Sequence, residues 1–177
     1  MKKPEAKAPE LDSALKKRSP IEQTAIEILT QLGDQQLAVI YAERVRTQRT
    51  RSFTLNAIAS DVQIQYTLLG IELKIGRKRL SCPDWATARY LAVFARLGVA
   101  EIAVPYDITQ ISRLADELES GWFRMQALAE HASQGQSSRW QSKLMKFLLS
   151  RQCAAIEVAG AGPKAPEFVQ HTKQRRK

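Results

Sequence analysis

The sequence predicts a mixed α/β domain, a small mixed sheet flanked by helices, with an α+β arrangement as the alternative. Three observations carry this prediction. Apolar and polar residues alternate with period two from Val62 to Ile75, as in half-buried strands. Several other segments repeat their apolar positions at helical spacing. A short apolar run, Val99 to Val104, follows one of those helical segments, as a buried and perhaps parallel strand would. The 177 residues suffice for one such core with tails. The expected division is a flexible basic segment 1–19, a single domain 20–153, and a flexible basic segment 154–177.

The elements follow in order. Residues 1–19, rich in Lys, Pro, Ala and Glu, lack the apolar content to fold. Ser19, Pro20 and Glu22 form a helix start: an N-cap, a proline where no N–H is needed, and the partner of a capping box. Ile21, Ala25, Ile28, Leu29 and Leu32 make the stripe, and Gly33 ends it. Asp34 is the expected cap of a second helix, with Leu37, Ile40, Tyr41 and Val45 inward. Val62, Ile64, Tyr66 and Leu68, then Ile71, Leu73 and Ile75, read as two strands. Gly76-Arg77 is a turn into a short partner strand ending at Cys82. Asp84 opens a helix over 85–97 that Gly98 closes, and Val99 to Val104 is the strand stopped by Pro105. A long helix over about 108–132 has a heptad-like seam: Ile108, Ala115, Trp122 and Ala129 with Ile111, Leu118, Met125 and Ala132. Such a seam packs on its own sheet or pairs with another helix, which makes a homodimer through 108–132 one expectation. Past a Ser/Gln/Gly linker, Trp140, Leu144, Phe147 and Leu148 face Lys143 and Lys146 on a basic amphipathic helix.

Composition narrows the chemistry. No apolar run is long enough to span a bilayer, and the N-terminal lysines are not followed by an apolar segment, so a cytoplasmic protein without a membrane span is expected. Cys82 and Cys153 have no paired spacing, and His131 and His171 stand alone. These patterns offer neither a disulfide framework, a histidine metal site nor a Ser-His-Asp relay. No cofactor is expected on this ground.

The formal net charge is +9. Much of the excess is terminal: residues 1–19 hold six basic and three acidic side chains, and residues 164–177 five basic and one acidic. The body is nearly balanced, but its cations are segregated. Arg44, Arg46, Arg49 and Arg51 form one cluster; Lys74, Arg77, Lys78 and Arg79 a second; Arg139, Lys143, Lys146 and Arg151 a third. Acids concentrate elsewhere, notably at Asp116, Glu117 and Glu119. Segregated charge creates a local field even when the sum is small, so an accessory or regulatory protein that grips nucleic-acid phosphates through these clusters is the expected function. An adaptor whose basic patches meet an acidic protein partner is a further reading.

One constellation has catalytic character. In a strand, Glu72 and Lys74 share a face while Ile71, Leu73 and Ile75 enter the core. Asp61 on a neighbouring strand would supply a second carboxylate for Mg²⁺. With Glu43 on the preceding helix, these residues resemble the PD-(D/E)xK nucleases of the restriction-endonuclease-like fold. That core runs helix, three strands, helix, strand, an order that residues 35–105 can follow, and Ala92 to Pro105 looks like its later helix and strand. Asp61 follows Ser60 where the family motif has proline. The resemblance implies a Mg²⁺-dependent nuclease with Glu43, Asp61, Glu72 and Lys74 in the site. A competing reading makes 54–73 a helix-turn-helix with Ile58, Ala59, Val62, Ile64 and Leu69 inward, although Gln63 holds the usual glycine position. Gly160-Ala-Gly162 precedes Pro163 with too little chain left for a dinucleotide fold. Asp107 or Thr109 is read as the N-cap of the long helix.

Overall fold

The computed structural model describes residues 19–55 and 61–163. Its first helix, α1 (Pro20–Leu32), leads through a 3₁₀ turn (Gly33–Gln35) to α2 (Leu37–Ile40), which continues as a π-helical turn (Tyr41–Val45). Strands β1 (Thr50–Thr54), β2 (Val62–Thr67), β3 (Gly70–Ile75) and β4 (Lys78–Cys82) follow. Then come α3 (Trp85–Leu97), β5 (Glu101–Pro105), α4 (Ile108–Ala132) and α5 (Ser138–Ala159). The mixed α/β class is as the sequence predicts. The strands divide between two antiparallel sheets, β1–β5 and β2–β3–β4, instead of forming one mixed sheet.

Local chemistry explains most of the helix limits. The Ser19 hydroxyl accepts the Glu22 N–H at 3.3 Å, and the Glu22 carboxylate accepts the Ser19 N–H at 3.2 Å, completing the capping box. Asp84 caps α3 by accepting the Thr87 N–H at 2.7 Å. Asp107 caps α4 through the N–H and hydroxyl of Thr109, and these bonds hold its carboxyl below the usual carboxylate range. Asp34 does not cap α2, because residues 33–35 form the 3₁₀ turn. The N-cap position falls to Gln36, whose side chain makes no capping bond. The Ala38 N–H instead donates to Oε1 of Gln152 on α5 at 2.8 Å.

The alternating segment folds as a hairpin, with Ile64 opposite Leu73 and Val62 opposite Ile75. This excludes a helix-turn-helix over 62–73; Ile58 and Ala59 lie outside the described residues. Among the described residues, no non-glycine residue has positive φ, and Gly70, at φ 116°, supplies that conformation after Leu68-Leu69. Strand β5 is buried from Ile102 to Pro105, as its apolar run required. It pairs antiparallel with β1, since burial on both faces fixes composition but not direction.

Helix α3 lies at the centre, with Ala88, Tyr90 to Ala95 and Leu97 all buried between the three-stranded sheet, α4 and α5. The α4 seam packs inside the same molecule: Trp122 is 7% exposed and Met125 1%. These side chains are spent on the core, so the seam from Ile111 to Ala129 is not free to pair with another helix, while Ile108 at its start stays 70% exposed. The domain also outruns its expected limit at 153. Helix α5 continues to Ala159, the Gly160 carbonyl accepts the Tyr41 hydroxyl at 2.9 Å, and the Pro163 carbonyl accepts the Ser52 N–H at 2.8 Å. Its last turns hold Ile156, which is 1% exposed.

Gly121 in the middle of α4 has a packing cause. A Cβ there would lie 2.5 Å from the Gln35 carbonyl oxygen. Alanine gains about 1 kcal/mol in helix propensity, but forcing an atom against backbone costs about 1–3 kcal/mol. Gly121→Ala is therefore expected to lower the thermal midpoint, which calorimetry reads directly; an unchanged or higher midpoint would show that the 3₁₀ turn and α4 separate easily here.

Candidate functional site

The hairpin register decides the carboxylate site. The Gly76 N–H donates to the Asp61 carbonyl, while Glu72 stands opposite Gln65. Asp61 and Glu72 thus share a face but sit four strand positions apart, about 13 Å. Ligands of one Mg²⁺ lie about 2 Å from it. Glu72 is tied to Arg79 at 3.2 Å, Lys74 stands between Gln63 and Arg79, and Glu43 is exposed on the π turn. Glu72, Lys74 and Asp61 therefore meet the same-face rule without converging, and they do not fit the cation that the resemblance implies. Among the described residues, no group of three or more His, Cys, Asp or Glu side chains is placed to hold a metal. Burial pushes the Cys82 thiol up, and burial with the neighbouring Glu157 does the same to Cys153. Neither is an activated nucleophile.

The three basic clusters have different fates. The first is dispersed. Arg44 bonds Glu117 on α4 at 2.7 Å; Arg46 turns inward to the Ala159 carbonyl at 3.1 Å and the Thr50 hydroxyl at 2.8 Å. Arg49 lies over the Tyr106 ring at 5.2 Å, and Arg51 lines a cleft with Phe53 and Tyr106. The acids of α4 are engaged as well: Arg89 binds Asp116 at 2.7 Å and Glu119 at 2.9 Å.

The second and third clusters approach each other where α3 ends. Arg96, in the last turn of α3, donates to the Val62 carbonyl at 3.4 Å. Val62 pairs with Ile75, the residue before the Gly76-Arg77 turn, so that turn lies near the same end of α3, and Arg77 on it is exposed. On the other side, Leu97 shares a shallow groove with Ser142, Lys146 and Cys153 of α5. Arg49 and Arg51 lie at the opposite end of α3, where Thr87 lines the same cleft as Arg51. A helix of 13 residues separates the two ends by about 20 Å. One basic end therefore combines Arg77, Arg96 and α5, and the first cluster does not join it.

Helix α5 is 22 residues long and buries Leu144, Leu148, Gln152 and Ile156, one residue per turn. That narrow stripe leaves Arg139, Lys143 and Lys146 together on the solvent side, each exposed. From Ser138 to Ile156 the helix contains no acid. Arg151 lies over the Phe147 ring at 5.9 Å. Among the described residues, none of these four cations makes an ion pair.

Sequence reasoning missed Arg96, which belongs to no cluster in the chain, and an apolar projection at the other end of the sheet. There Tyr66, Leu68 and Leu69 are exposed, and Tyr66 stacks on Trp85 with centroids 5.1 Å apart. The signal was visible: two leucines occupy a turn, where Gly, Asn, Asp and Pro are usual. No helix among the described residues is long and apolar enough to cross a membrane. In comparisons with known proteins, no family model, no curated protein and no solved structure matches this chain.

Proposed function

We propose that the protein binds nucleic acid through the basic end where α3 stops, with Arg139, Lys143 and Lys146 of α5 and Arg77 of the β3–β4 turn contacting phosphates. One observation carries this reading: the solvent side of α5 presents a row of exposed cations that make no ion pair among the described residues, on a stretch without an acid from Ser138 to Ile156. Unpaired cations spaced about one turn apart attract a polyanion because binding releases its condensed counterions. Contacts of this kind position a protein on the backbone without reading bases, which suits an accessory role. The first cluster contributes less, since Arg44 and Arg46 already serve bonds inside the fold.

Fluorescence anisotropy with labelled single-stranded DNA, duplex DNA and RNA tests the proposal. Lys143→Glu/Lys146→Glu is expected to weaken binding by about tenfold or more. Arg44→Gln, which removes a cation already paired with Glu117, is expected to change it by less than about twofold. Equal losses from both variants would place the binding surface elsewhere.

A further inference from the structure

We propose that the hairpin turn Leu68-Leu69 is a self-association knob whose socket is the apolar cleft of a second copy of this chain. Leu68 is 106% exposed, Leu69 88% and Tyr66 73%. Monomeric surfaces scatter single apolar residues, but two leucines on a projecting turn with an exposed tyrosine on the adjoining strand mark an interaction site. Nor is the turn loosely held. Thr67 pairs with Gly70 across the hairpin, the Thr67 hydroxyl accepts the Leu69 N–H at 3.2 Å, and Trp85 stacks against Tyr66. The leucines are held out into water by a built support.

The matching socket lies at the same end of the molecule. A cleft of about 280 Å³ is walled mainly by Phe53, Leu91, Val104, Pro105, Ile108 and Ile111, with Arg51 and Thr87 among its polar lining. A cavity of about 150 Å³ holds benzene, so this one accepts a leucine side chain with room for part of a second. Ser81 and Pro83 form one rim, and between them Cys82 pairs with Ile71, next to the turn. Knob and socket are thus neighbours on one chain. That placement suits a two-fold dimer, in which each copy inserts its turn into the other's cleft and the same patch serves both partners. The charge pattern favours a protein socket over an anionic lipid surface, because residues 62–73 contain no basic side chain and one acid, Glu72. This end is remote from the basic end of α3, so association and nucleic-acid binding are tested separately.

Sedimentation velocity over a concentration series is the experiment, on the full chain. The wild type is expected to pass from monomer to dimer as concentration rises. Leu68→Ser/Leu69→Ser alters only exposed side chains, and Ile108→Glu alters a cleft residue that is 70% exposed, so both variants retain the fold, as circular dichroism will show. Each is expected to raise the dimer dissociation constant about tenfold or more. An equimolar mixture of the two retains one intact knob and one intact socket and is expected to associate better than either variant alone. A wild type that stays monomeric, a dimer indifferent to either variant, or a mixture no better than its components would each overturn the proposal.

Discussion

Replacing Tyr41 and Tyr90 together with phenylalanine is expected to lower folding stability by about 2–5 kcal/mol. Both hydroxyls serve the free edge of β5 at Ala103. The Ala103 N–H donates to the Tyr41 hydroxyl at 2.8 Å, and the Tyr90 hydroxyl donates to the Ala103 carbonyl at 2.7 Å. Tyr41 donates onward to the Gly160 carbonyl, which fastens the end of α5 beneath the sheet. Ala103 is fully buried, so phenylalanine would strand two backbone groups where water does not reach them, at about 1–3 kcal/mol each. Urea denaturation of the single and double variants measures the loss. Because both phenols serve one residue, the two single losses are not expected to add simply.

The same pair contributes to the loss of stability at alkaline pH, beside the raised Cys82 and Cys153 thiols. Burial pushes the Tyr90 phenol well above its ordinary value, with the neighbouring Tyr41 adding to the rise, and burial outweighs the Ala103 N–H to raise Tyr41. A raised value means that the folded state holds its proton more tightly than the unfolded chain. The stabilisation is complete below about pH 10, the unfolded value, and is lost as the pH rises from there through the folded values. Phenolate absorbance from these two residues is expected to appear together with loss of helical circular dichroism. The double phenylalanine variant would lose this linkage.

Gln152→Leu is expected to cost about 2 kcal/mol. The side chain is 2% exposed and supplies the capping bond that Gln36 does not make. Leucine nearly preserves the volume, so the loss reports the stranded Ala38 N–H and not a cavity. Gln36→Ala removes only the longer 3.3 Å contact to Gln152 and a bond to the Leu29 carbonyl, and a smaller change is expected. Chemical denaturation separates the two. If Gln152→Leu proved neutral, α2 would be able to shift and find another acceptor.

Features encoded by neighbours in sequence were legible. The Ser19 box, the Asp84 and Asp107 caps, and the alternation from Val62 to Ile75 each depend on residues a few positions apart. Features made by distant partners were not. Asp34 looked like a cap because nothing nearby revealed that Gln152 fills that role across the fold. Strand β1 is short and polar, and only its pairing with β5 makes it a strand. The α4 seam was visible, but whether its partner lay inside or outside the molecule depended on the core that Trp122 and Met125 complete. For the site, the α5 cations were readable because helix periodicity alone gathers them. The cluster at 44–51 was misleading, since Arg44 is neutralised by a residue 73 positions away. Asp61 and Glu72 failed for a related reason: strand alternation gives the face, whereas register gives the distance.

The salt dependence of nucleic-acid binding tests the central claim most directly. If about four to six cations at the α3 end meet phosphates, the logarithm of the binding constant should fall against the logarithm of salt with a slope of about −3 to −5. The slope should shrink by one to two units in Lys143→Gln/Lys146→Gln. Binding that ignores salt, or a slope left unchanged by those substitutions, would contradict a phosphate-gripping surface on α5.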